Sequence, residues 1–260
     1  MNLEQHPKLQ EVLETGYEFK LGDYISTGID IFKKNIGVFV GYTAVFFLIV
    51  MVGSFIPFLG SIGLLVVTYP LLVGFYLGAH KLHKNETLEF RDFFKGFDYI
   101  GQLLLMYLVT VLIVSIFLIP FFVSFFISIT SLDSSDVLLD DNPFAVFSIF
   151  PFWTFIFFLP MIYLGIAWMW APFLIVFHKL SFWDAMMTSM KIVNKKFLMT
   201  LVFAIIVGMI SSIGMIALFV GILLSYPAAL CMQYAAFADI TQLLKSEGEA
   251  QSDIVDHLVA

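Results

Sequence analysis

His80 and His83 stand three residues apart, with Glu86 and Glu89 close behind. On a helix that step places both imidazoles on one face, so with nearby carboxylates they could hold a divalent metal or activate water on a lipid ester. Lys81 and Lys84 share the stretch and oppose cation binding, and His-Lys clusters are expected at span ends as anchors for anionic headgroups. A second group of carboxylates, Asp133, Asp136, Asp140 and Asp141, lies between Ser131 and Asn142. It lacks the glycine and regular spacing of a calcium loop and reads as a solvated acidic connector. Cys231 is the single cysteine, so it has no partner for a disulfide or thiolate site and is expected to pack. His6, His178 and His257 are scattered, and no Ser, Cys or Lys nucleophile stands beside a base. Catalytic, cofactor-binding and metal-binding residues are accordingly none, no cofactor is expected, and the chain reads as a non-enzyme.

The elements around these residues are dominated by composition. Hydrophobic residues make up 60% of the 260, with 31 Phe and only 13% charged, against about 45–50% apolar and roughly 25% charged in soluble domains. This is the composition of an integral membrane protein. All 13 Lys and Arg residues fall on one side of a topological map: before the first apolar run, between the second and third, between the fourth and fifth, and after the last. That pattern predicts an even number of crossings with both termini cytoplasmic. The net charge of −7 does not oppose it, because Asp and Glu contribute little to orientation. No nucleic-acid partner is expected.

Run lengths predict six spans of bilayer thickness, at about 36–58, 61–82, 100–129, 152–177, 197–213 and 216–238. The first two form a hairpin turning at Pro57, Phe58, Leu59 and Gly60, and the last two turn near Gly214. The third run contains Pro120. The fourth apolar run, Phe144 to Phe177, contains Pro151, Pro160 and Pro172; each of these two is read as one kinked or tilted helix. A polar segment over 1–20, without the apolar core of a signal peptide, precedes the membrane domain at 21–243, and an acidic tail over 244–260 follows it.

Three amphipathic segments precede the pairs of spans. Leu21, Ile25, Gly28, Ile29 and Phe32 share one face of the first. Phe90, Phe93, Phe94 and Phe97 punctuate the second, and Phe182, Met186, Met190 and Val193 line the third. Each is expected to lie in the membrane interface. Ser181 with Asp184 resembles a capping box that starts the third. The pattern helix, span, turn, span thus recurs three times, over about 21–83, 88–178 and 181–243. Asn35 with Asn194, and Tyr69-Pro70 with Tyr226-Pro227, are separated by 159 and 157 residues, which implies a two-residue deletion. Such repeats are parallel rather than inverted, which counts against alternating access.

No Asp, Glu, Lys, Arg or His stands deep in a span, which argues against a proton or ion relay. Gln102, Thr110, Thr200, Ser211, Ser212 and Gln233 are expected to hydrogen-bond between helices. Gly37 with Gly41, and Gly74 with Gly78, form G-x-x-x-G steps expected to pack the first hairpin. Phe144, Phe147, Phe150, Phe152 and Trp153 read as an aromatic belt at the outer surface.

The interfacial helix ending in Lys33, Lys34 and Asn35, the Pro-containing second span, and Asp92-Phe93-Phe94-Lys95-Gly96-Phe97 together resemble a family of uncharacterised six-helix bacterial membrane proteins. Among these is the membrane domain fused to some glycerophosphodiester phosphodiesterases. The resemblance covers most of 21–243. It implies the bacterial cytoplasmic membrane as location and carries over no catalytic residue, since the phosphodiesterase domain is not in this chain. The expected fold is an all-α bundle of six transmembrane and three cytoplasmic interfacial helices. The expected role is a non-enzymatic lipid-associated or scaffolding component, with anionic phospholipid headgroups as partners and a protein partner or homo-oligomer open. The alternative is a permease or channel for a neutral or amphiphilic solute. An enzyme acting on lipids through His80 and His83 is the third reading.

Overall fold

The computed structural model describes residues 7–131, 152–216 and 221–248. The acidic connector and the aromatic stretch from Phe144 to Trp153 lie outside the described residues and side chains. The described regular elements are all helical: α1 Pro7–Thr15, α2 Leu21–Lys34, α3 Ile36–Phe55, α4 Leu59–His83, a 3₁₀ helix Phe90–Tyr99, α5 Ile100–Ser131, a short 3₁₀ helix Phe152–Phe157, α6 Phe158–Ala167, α7 Ala171–Phe177, α8 Phe182–Lys195, α9 Phe197–Ile216 and α10 Ile222–Ile240.

Five runs are long and apolar enough to cross a membrane: Ile36–Phe55, Leu59–His83, Phe90–Ile127, Phe155–Phe177 and Phe197–Met215. The last expected span, α10, is not among them. It carries Tyr226, Gln233, Tyr234 and Asp239, and it is buried on every side from Ala229 onwards except at Gln233 and Asp239. A helix surrounded by protein needs no uniformly apolar surface.

The chain divides into two compact units, one formed by Met1–Leu105 with Ala167–Ala260 and the other by Met106–Ile166. In the smaller unit Phe121 meets Phe158 edge-on at 5.2 Å, and Ile116, Phe122, Phe126, Ile156, Leu159 and Ile162 are exposed. So apolar an exterior suits lipid rather than water.

In the larger unit α3 buries Phe39, Tyr42, Thr43 and Phe46, a single helical stripe, while Leu48, Met51, Val52 and Phe55 stay exposed. On α9 the buried stripe is Thr200, Phe203 and Val207, with Leu198, Met199, Val202, Ile205 and Met209 exposed. Aromatic rings fill the space between helices. Tyr42 stacks on Phe93 at 4.1 Å and meets Phe75 at 4.7 Å, and Tyr226 packs on Phe46 and Phe75. Tyr76 stacks on Phe173 at 3.9 Å, which stacks on Phe237.

The fourth run remains one candidate span, Phe155–Phe177, with a break inside it. α6 stops at Ala167 and α7 restarts at Ala171, because Pro172 has no N–H to continue the ladder and fits only the first turn of a new helix. The fifth helix runs through Gly214 to Ile216 rather than turning there. A Cβ on Gly214 would lie 2.3 Å from the Ile222 nitrogen, so this glycine lets two helices approach closely.

The three amphipathic elements turn their apolar faces onto protein. α2 lies along α10, the 3₁₀ helix along α4, and α8 along α7. α2 buries Tyr24, Gly28, Ile31 and Phe32, whereas the expected face members Leu21, Ile25 and Ile29 are half-buried on its flank. Of the four Phe that punctuate the 3₁₀ helix, Phe93 is fully buried while Phe90 and Phe94 are exposed. Contact at the seams is backbone-close. A Cβ on Gly28 would sit 2.4 Å from the Met232 Cα, and one on Gly96 would sit 2.0 Å from the Pro70 carbonyl oxygen. At the α8 seam Ser189 Oγ donates to the Ala167 carbonyl at 2.7 Å and accepts the Trp170 N–H at 3.2 Å.

Element ends match across the chain. α2 and α8 each have 14 residues and end on Asn35 and Lys196, whose cap φ values are −154° and −141°. Asn194 therefore sits inside α8, and the match to Asn35 is Lys196, 161 residues on. α4, α7 and α10 each end with one cap residue and then a left-handed one: Asn85 (φ 59°), Lys179 (φ 54°) and Gln242 (φ 51°). Asn85 and Gln242 lie 157 residues apart, as do Pro70 and Pro227. These separations differ by four residues, where the expected matches differ by two.

The G-x-x-x-G expectation is also corrected. Gly37 and Gly41 have open space where a side chain would go. Gly74 and Gly78 pack chiefly on Phe93 of the 3₁₀ helix; only the Tyr42 hydroxyl at Gly74 belongs to the first hairpin.

Candidate functional site: the charged rim

Hydrogen bonds join the polar ends of the larger unit's helices into one rim. Tyr17 Oη donates to the Ile192 carbonyl at 3.1 Å, and Gln102 Oε1 accepts the Phe182 N–H at 2.8 Å, capping α8 from outside. Lys34 Nζ donates to the Leu82 carbonyl at 2.8 Å and to Asn85 Oδ1 at 2.7 Å. A cation there satisfies carbonyls that a helix C-terminus leaves open, and it complements the negative end of the dipole.

His80 and His83 sit in different surroundings. Nδ1 of His80 lies 2.8 Å from the Tyr234 hydroxyl, and Nε2 lies 3.3 Å from Glu247 Oε1. Both ring nitrogens of His80 are engaged by protein, while Nδ1 of His83 is buried with no hydrogen-bond partner among the described residues. The carboxylates that follow in sequence go elsewhere, Glu86 to Lys84 at 3.4 Å and Glu89 to Arg91 at 2.6 Å. Among the described residues no group of three or more potential metal ligands occurs.

Glu247 is the acid that reaches His80, and sequence reading missed it because it lies in the segment read as a tail. Residues 243–248 continue as helical turns and fold Glu247 against His80 and Lys84. Burial raises its pKa, but hydrogen bonds from His80 and Lys84 outweigh burial and hold the carboxyl below the ordinary glutamate value. No sequence signal pairs residues 80 and 247.

Asp92 is nearly fully buried and is bound by Lys81 at 2.8 Å and Lys95 at 2.9 Å. It also accepts the Glu89 N–H at 2.9 Å, closing a capping box with Glu89 at the start of the 3₁₀ helix. The other capping box is partly as expected. Ser181 Oγ accepts the Asp184 N–H at 3.2 Å, but the Asp184 carboxylate takes the Ser181 hydroxyl rather than its backbone N–H.

Between α2 and α10 the rim opens into a cleft of about 480 Å³. Ala235 and Ala238 form its floor, His83 one wall, and Lys20, Asp23, Asp239 and Lys245 its charged groups. Asp239 accepts from the Tyr24 hydroxyl at 3.0 Å and faces Lys20 at 3.9 Å.

The polar residues inside the spans divide. Gln233 accepts from Tyr76 at 3.0 Å, and the Ser211 carbonyl accepts from Ser225 at 2.9 Å, both between helices. Thr110 and Ser212 instead donate to Met106 and Gly208, four residues back in their own helices. Pro70 and Pro227 are buried in helix interiors, and Tyr226 is enclosed by rings.

The cations of the rim sort into two classes. Most are tied to protein partners; Lys245 in the cleft is exposed without one, and away from the cleft Lys33, Lys191, Lys195 and Lys196 are exposed and make no ion pair among the described residues. They sit in the last two turns of α2 and α8 or just beyond them, close in sequence to the long apolar helices α3 and α9. The chain matches no family model, no curated protein and no solved structure.

Proposed function

We propose that this protein is a non-enzymatic, lipid-associated component of the bacterial cytoplasmic membrane that holds anionic headgroups at its charged rim. The observation that carries this reading is the set of four exposed, unpaired lysines beside α3 and α9, whose outer faces are apolar. Each basic residue near an anionic surface contributes about 1 kcal/mol of attraction. In this reading α10 is a sixth span shielded by its neighbours, both termini are cytoplasmic, and the three amphipathic elements lie at the inner surface as parts of three parallel helix-span-span units. The matching ends of α2 and α8, and of α4, α7 and α10, support the repeat. The likeness to the six-helix bacterial membrane family accords with the same topology.

Retention of phosphatidylglycerol and cardiolipin through detergent purification tests the proposal. Replacing Lys33, Lys191, Lys195 and Lys196 by Gln is expected to lower retained anionic lipid several-fold; unchanged retention would refute it. Lys34 is left intact, because its bonds to Leu82 and Asn85 would confound loss of charge with loss of a helix cap.

A further inference from the structure

The cleft between α2 and α10 is built differently from the exposed lysines. It balances two cations, Lys20 and Lys245, against two anions, Asp23 and Asp239, so a ligand of one sign would leave half the charges unmatched. Among the described residues the Asp23 carboxylate and the Lys245 ammonium have no partner. The one pair across the cleft, Lys20 to Asp239, is stretched to 3.9 Å with both side chains nearly half exposed, and so weak a pair opens readily to a ligand. Thr27 and Gln242 add neutral polar groups to the lining, and the buried Nδ1 of His83 has no partner there either. The alanine floor leaves a volume in the range of small-ligand sites, about 300–1,000 Å³.

Backbone dipoles order the charges. Asp239 lies at the C-terminal end of α10, where the helix dipole favours a cation. Lys20 precedes α2, whose first turn has no side-chain cap and offers N–H groups to an anion. We propose that this cleft binds a zwitterionic ammonium–phosphate group, the chemistry of phosphoethanolamine, with the ammonium at Asp239 and Asp23 and the phosphate at Lys20 and Lys245. A primary ammonium carries hydrogens to donate to the carboxylates, whereas a trimethylated one does not. The group comes either from a lipid headgroup or from a soluble compound.

Thermal unfolding of the full chain in detergent tests this, with titration of short-chain phosphatidylethanolamine, phosphatidylcholine, phosphatidylglycerol and soluble phosphoethanolamine. Stabilisation by mass action is expected to saturate with phosphatidylethanolamine and to require about tenfold more of the other two lipids. Lys245→Gln and Asp23→Asn, which touch no partner and so leave the fold intact, should each shift half-saturation upward by about tenfold. If phosphoethanolamine alone gives the same shift, the source is soluble; if only the lipid does, the source is the headgroup, and both results support the assignment. Equal responses to all three lipids, or unchanged half-saturation in both variants, would overturn it. Substituting the four exposed lysines should leave the phosphatidylethanolamine titration unchanged and weaken only the response to phosphatidylglycerol, which separates failure here from failure of the rim proposal.

Discussion

Asp92 shows how a single side chain can fix a local structure. Its carboxylate binds two lysines and a backbone N–H where α4 ends and the 3₁₀ helix begins. Asp92→Asn would leave Lys81 and Lys95 facing a neutral amide. Because both lysines reach solvent, the loss should be about 1–3 kcal/mol rather than that of a fully buried pair, seen as a lower melting temperature on heating in detergent. Glycines give a sharper contrast. Gly96→Ala forces a methyl group against the Pro70 carbonyl and should destabilise by about 1–3 kcal/mol. Gly41→Ala enters open space and should be neutral or slightly favourable, as alanine is the better helix former. The spacing of Gly37 and Gly41 is identical to that of Gly74 and Gly78, so sequence had no means of telling these cases apart; what differs is whether Phe93 lies opposite.

At the scale of elements, the ends of helices were partly legible. Ser181 and Asp184 mark the first turn of α8, and the helix begins at Phe182 as the capping signal predicts. The C-terminal caps were not legible, because Asn85, Lys179 and Gln242 take a left-handed conformation that favours glycine. Gln242→Gly is expected to raise stability by about 0.5–1 kcal/mol through relief of that conformation, measured as an upward shift in melting temperature. Lys34→Ala should lower it by about 1 kcal/mol, by removing the cation that caps α4. The buried stripe of α2 is rotated from the expected one because its packing partner, α10, meets Tyr24 at Asp239 and Gly28 at Met232.

For the whole molecule, the fold of 243–248 onto the rim carries a pH dependence. A carboxyl held below its ordinary value of 4.5 contributes stability that is present above that value and is lost as pH falls through the folded-state pKa. The melting-temperature difference between the native chain and Glu247→Gln should therefore shrink as pH drops from 6 towards 4, with the native chain the more stable at pH 6. Topology is testable on the same molecule. In a Cys231→Ala background, Ser61→Cys at the far turn is expected to react with an impermeant thiol reagent in intact spheroplasts, and Ser26→Cys only after lysis. The reverse pattern would invert the proposed orientation.

Run length and the near absence of charge from the apolar stretches were enough to make this chain a helical membrane protein, since unpaired backbone groups and ions are too costly in hydrocarbon for any open alternative. The same reading made α10 a sixth span like the others, whereas it is not among the helices long and apolar enough to cross, because a helix enclosed by others can carry Tyr226, Gln233 and Tyr234 without exposing them to lipid. Only tertiary structure decided which polar groups meet. His80 finds Glu247 rather than Glu86, Lys34 finds the end of α4, and four lysines are left facing outward, because such pairings depend on distances between helices that periodicity along one helix does not contain.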